Sequence, residues 1–173
     1  MLGRPAADEA ASYYFRYIDR VAGDDPLLEL ETQLDRLSPL LETFSEESSL
    51  TRYAPDKWSV RQVWSHVNDA ERLFVSRALW FARGLESALP GFDQEPCAAA
   101  ARADAVSWNA HCGEFRHIRH ATVAFFRNLP DQAWGAAGVA SGNRFTVRAL
   151  AYIVAGHADH HASVLKERYA IGD

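Results

Sequence analysis

The chain has 173 residues, of which 18 are lysine or arginine and 23 aspartate or glutamate, for a formal net charge of −5. With 48% hydrophobic and 24% charged residues it is composed like an ordinary globular protein, one domain by length and large enough to bury a core without disulfide staples. Arginines interleaved with acids exclude a nonspecific nucleic-acid binder, which needs clustered cations to displace counterions, and no run of about 18 apolar residues exists to cross a membrane. Cys97 and Cys112 make no CxxC pair, and the amino terminus MLGRPAADEA lacks the basic-then-apolar plan of a signal peptide, so a reducing cytoplasm is the expected compartment.

Strand signals are nearly absent, and helical periodicity is strong in four stretches that follow a short aromatic helix in ASYYFRYIDRV. In DPLLELETQLDRLSPLLETF, Asp25 is placed to cap and Pro26 suits the first helical position. Leu27, Leu30, Leu34, Leu37, Leu41 and Phe44 then recur at three- and four-residue steps, with Pro39 placed to bend the end. In WSVRQVWSHVNDAERLF, Ser59 and Gln62 spell a capping box and Trp58 with Val63 a hydrophobic staple, which predicts a helix from Val60 to about Arg83, ended by Gly84. GLESALPGFDQEP reads as a loop, and a third helix is expected from about Ala98 to Asn128, before Leu129-Pro130. DQAWGAAGVASGNR reads as a second loop; a fourth helix starts at Thr146, stapled by Phe145 and Leu150, and runs to about Tyr169. Four long helices with one apolar face each predict an all-α four-helix bundle, and the long connections leave room for one crossover.

The stretch AGHADHHASVL raises the chemical question, because it sets three histidines on an otherwise apolar helix. At about 100° per residue, Leu150, Ile153, Val154, His157, His161, Val164 and Leu165 share one stripe, so His157 and His161 stack one turn apart and face inward. His160 falls at the edge of that stripe. His66 lies on the inward side of the second helix, among Val63, Ala70, Leu73 and Arg77. One inward histidine is more often a hydrogen-bonded core residue, and an i, i+4 pair alone carries about even odds as a metal motif. A third on a facing helix gives the burial a shared reason: a divalent ion, held by three protein ligands with a position left open, as in catalytic sites. His111, His117 and His120 sit beside Arg116 and Arg119, whose charge repels a cation, and read as surface or structural residues. Cys112 reads as packing. No glycine-rich phosphate loop is present, and Ser141-Gly142 makes no nucleophile elbow.

The segments YAPDKWSVRQVWSHVNDAERLF, RALWFARG, LPGFDQ and FTVRALAYIVAGHADHHASVLKERY closely resemble the DinB-like superfamily, which includes YfiT-type metal hydrolases and bacillithiol transferases. The likeness runs from about Tyr17 to Tyr169, and the domain is taken as residues 1–173. It implies a crossover four-helix bundle, a mononuclear divalent metal (zinc, nickel or iron) on His66, His157 and His161, and a homodimer. His160 matches a position that the family often fills with histidine without using it as a ligand. Relatives that transfer low-molecular-weight thiols imply a thiol S-transferase acting on a small-molecule electrophile; the alternatives are hydrolysis by water activated at the metal, or a non-catalytic metal-binding role in a stress response. Asp69, one turn after His66, is the candidate catalytic partner that would orient the imidazole, although an exposed pairing with Arg72 or Arg77 serves it equally well. Asp69 and Glu71 are the candidate bases for hydrolysis. Arg77 and Arg148 are candidates to bind an anionic substrate or thiol carboxylate, against a plain solvated role.

Overall fold

The structure is a computed structural model that describes residues 2–169, so residue 1 and residues 170–173 of the expected domain lie outside the described residues. Its elements are α1 (Phe15–Ile18, preceded by a 3₁₀ turn), α2 (Pro26–Glu42), α3 (Val60–Ala82), α4 (Gln94–Ala101), α5 (Trp108–Arg127), a hairpin of β1 (Ala137–Ala140) and β2 (Asn143–Thr146), and α6 (Val147–Arg168). The caps read from sequence are formed. Asp25 accepts from Leu27 N at 3.0 Å, and Ser59 and Gln62 bond reciprocally at 3.1 and 3.0 Å. Thr146 accepts from Ala149 N at 3.0 Å, one residue before the helix proper.

Two expectations are corrected. The third helix is not continuous from Ala98: α4 begins at Gln94, capped by Asp93, and ends where Arg102 turns left-handed with φ +48°. A 3₁₀ turn follows, and α5 restarts from a new cap, Ser107, whose hydroxyl accepts from Ala110 N at 3.2 Å. The alanines of 98–105 favour helix everywhere, so their composition hides the break. The second loop contains the β-hairpin, with Ala140 paired to Asn143 across Ser141-Gly142, both at positive φ (52° and 72°). Two successive left-handed residues are the turn that matches strand twist. The backbone of Leu89 bonds to Val139 and Ser141, which lays the 89–91 segment against the hairpin.

The bundle is formed by α2, α3, α5 and α6. Helix α6 packs on α3, α1 and α2, while α5 packs on α3 and α2. Consecutive helices α2 and α3 therefore sit mainly across a diagonal, as do α5 and α6, so the chain crosses the bundle ends instead of running up and down between neighbours. From Val147 to Ala158, α6 is buried on nearly every side, not along one stripe, because α1 and the hairpin cover the face that the bundle leaves open. That close cover depends on Gly156: a Cβ there would stand 1.9 Å from the Tyr17 carbonyl oxygen and 2.5 Å from its carbon. Gly156→Ala must push α1 off α6, and the expected loss in a urea denaturation series is at the upper end of, or beyond, the ~1–3 kcal/mol of ordinary overpacking.

The core falls into two apolar clusters, one around α1, the hairpin and the first half of α6, the other around Trp64, Trp108, Phe115 and Leu165. A polar layer separates them. Arg119 donates to both oxygens of Glu71, at 2.9 and 2.8 Å, and also to Gln33 Oε1. Gln33 Nε2 in turn donates to the Ala155 carbonyl at 2.8 Å. One connected network thus touches all four bundle helices, and each buried member has a partner.

Candidate metal centre

The histidines of α3 and α6 meet where these two helices pack together. His66 and His157 are buried, with 7% and 5% exposure, and His161 is half-buried. One ligand nitrogen from each lies within 4.8 Å of the others, and His66 Nε2 stands 3.2 Å from His157 Nε2. Nitrogens bound about 2.05 Å from one tetrahedral ion are about 3.3 Å apart, so this spacing is that of two ligands on a shared ion. Burial pushes His66 down to about 4. His157 and His161 are held well below the ordinary value by burial first and then by the neighbouring imidazoles. All three rings are thus neutral and offer lone pairs. His161 Nδ1 is buried without a hydrogen-bond partner among the described residues. Three neutral imidazoles with no carboxylate among them suit zinc, nickel, copper or iron, so the donor set fits a divalent transition-metal ion.

Access comes from two sides. A cleft of about 570 Å³ has Tyr13, Tyr14, Tyr17 and Phe74 on its walls and reaches His66 and His157. A smaller one of about 220 Å³ opens on His161 beside Tyr53, Trp58 and Tyr169. Gln94, at the start of α4, lines both. The Tyr17 ring meets His157 edge-on at 5.2 Å and His160 at 5.5 Å, while Trp58 lies 5.2 Å from His66. This aromatic lining escaped the sequence reading. For the tyrosines of α1 and the turn before it the run SYYFRY is the local signal, and nothing local says that α1 lies over α6.

The other candidates are distributed elsewhere. Asp69 makes no hydrogen bond to His66; it lines a separate groove of about 690 Å³ between α3 and α5, 3.7 Å from Arg72, where burial raises its carboxyl. That groove is the larger opening, yet the three-histidine cluster lies outside it. Glu71 is taken up by Arg119. Arg148 bonds Glu9 and the Leu2 carbonyl and does not reach the histidines, whereas Arg77 lies next to the tyrosine-walled cleft. His160 packs beside His161 but is not one of the converging three. His111 bonds the Ala103 carbonyl at 3.0 Å, and His117 and His120 are exposed. Burial pushes the Cys112 thiol up to about 11, which makes it inert.

The lowered histidine pKa values carry a stability prediction. An imidazole with a folded pKa below its unfolded one takes its proton first in the unfolded chain, so its contribution is complete above about 6.5 and is lost as pH falls through about 4. With chelator present, the unfolding free energy from urea titration should fall between pH 7 and pH 5, by about 2 kcal/mol from His66 alone.

Fold and site together define a helical-bundle protein with a three-histidine cluster suited to a metal ion. The chain belongs to the DinB superfamily, whose sequence profile matches residues 29–165. Its fold is similar to that of YfiT from Bacillus subtilis, described as a probable metal-dependent hydrolase with an unusual four-helix bundle topology, with a TM-score of 0.71 over 94% of this chain and 89% of that one at 17% identity. No curated protein matches the sequence significantly. Among the described residues no helix is long and apolar enough to cross a membrane.

Proposed function

We propose that the chain is a metal-dependent enzyme that transfers a low-molecular-weight thiol to a small electrophile at His66, His157 and His161. The observation that carries this is the convergence of three neutral imidazoles, two of them 3.2 Å apart, with His66 and His157 on the wall of an open cleft. A bound divalent ion would supply Lewis-acid activation, favouring the thiolate over the thiol. His66, His157 and His161 would hold the ion, and the cleft that reaches His66 and His157 gives a substrate access to it. Tyr13, Tyr14, Tyr17 and Phe74 exclude water and orient an apolar electrophile. The C–S bond forms as the leaving group departs with its electron pair, and the thiol proton passes to solvent. The placement of the carboxylates supports thiol over water as nucleophile: Asp69 faces another groove, and Glu71 is held by Arg119, so neither is poised as a general base.

Hydrolysis is the second reading, favoured by the likeness to a protein described as a probable metal-dependent hydrolase. Thiol-dependent turnover of a haloaromatic substrate, set against ester and amide hydrolysis without thiol, separates the two. The first reading expects activity only with thiol present, and the loss of that activity in the variant lacking all three histidines. Hydrolysis that is indifferent to thiol overturns it.

A further inference from the structure

We infer that Arg77 is the anchor for a ligand carboxylate in the tyrosine-walled cleft, so that the substrate is an extended, largely apolar or aromatic acid with its reacting group at the histidine end; this deepens, and rests on, the metal-centre reading above. Three arginines are buried among the described residues: Arg61, Arg77 and Arg119. Arg61 has Glu46 at 2.7 Å, and Arg119 has Glu71 at 2.8 Å. Arg77, 2% exposed, has no carboxylate within 4 Å among the described residues. Its Nη2 donates to the Pro90 carbonyl at 3.2 Å and to Ser141 Oγ at 2.9 Å, and its Nε is buried without an acceptor. A guanidinium stays protonated in proteins, so a buried one without a counter-charge is an unmet demand for an anion.

The surroundings say which anion. Arg77 shares a face of α3 with His66, three turns of helix or about 16 Å further on. Ala70, Leu73 and Phe74 lie between them on the cleft. Helical side chains lean toward the N-terminus, which tips Arg77 back toward the histidines. Its guanidinium carbon stands 5.9 Å from the Phe74 ring centroid, the Tyr14 phenol lies beside it, and Gly91, next to Pro90, lines the cleft without a side chain. A fixed guanidinium cation at one end selects an anionic end group such as a carboxylate, the aromatic walls select an apolar body, and the distance to the histidines selects an extended ligand.

The test is calorimetric titration with 4-phenylbutanoate and its carboxamide, on metal-loaded and on chelator-treated protein. The acid is expected to bind at least about tenfold more tightly than the amide in both forms, since a charge-assisted pair is lost with the amide. Arg77→Met should bring acid and amide to parity with metal content unchanged, and Arg77→Lys should keep a reduced preference. His157→Ala should keep the acid preference even where it loses metal, so failure of the anchor and failure of the metal centre give different results. Equal binding of acid and amide by the wild type overturns the proposal, whatever the stability of the variants. So does a preference that survives Arg77→Met, or one confined to the metal-loaded form.

Discussion

Arg119→Met is expected to lower unfolding free energy by about 3–5 kcal/mol, a large share of the ~5–15 kcal/mol that holds a domain together. The cost comes less from the lost pair than from what is left behind. Glu71, 2% exposed, would be left in the buried layer without its cation, and Gln33 would lose the donor to its amide oxygen. Urea denaturation of the single variant and of Arg119→Met/Glu71→Leu measures this directly. The double variant should recover most of the loss, because replacing both partners of a buried pair by apolar groups is close to neutral. A double variant as unstable as the single would show that the layer acts through packing and not through charge.

His157→Ala is expected to abolish stoichiometric retention of a divalent metal while leaving helicity in place. Losing a mere supporting partner of a ligand typically costs ~10–100-fold in affinity, and removing one of three ligands should cost more. Elemental analysis of purified protein, with His120→Ala as an exposed control, checks it. His157→Ala should fall to background, and His120→Ala should match the wild type. Wild-type levels in His157→Ala would remove the metal centre altogether. Collapse of the helical signal in His157→Ala would instead assign the histidines a structural role.

Much of this site could be read along the chain because its information is local. Ser59 and Gln62 set where α3 starts, and that start sets the face His66 occupies. The four-residue spacing of His157 and His161 places both on one side of α6 whatever it packs against. The break at Arg102–Ser107 was hidden because alanine favours helix on both sides of it, and the hairpin because its four-residue strands show no clean alternation. Asp69 shows the limit of spacing arguments. One turn from His66 is close enough to reach it, but the flank of α3 that Asp69 occupies faces α5 and not α6.

By itself the sequence determined four long helices, their caps, the inward stripe of His157 and His161, and a third histidine on another helix, because turns and helix faces depend on residues only a few positions apart. Tertiary structure decided the rest. The diagonal order of the helices brought His66 to within hydrogen-bond distance of His157 across 91 residues of chain. It also matched Arg119 to Glu71, left Arg77 without a carboxylate among the described residues, and laid the α1 tyrosines over the site. Such pairings follow from which faces meet when the core closes, and no local pattern records that choice.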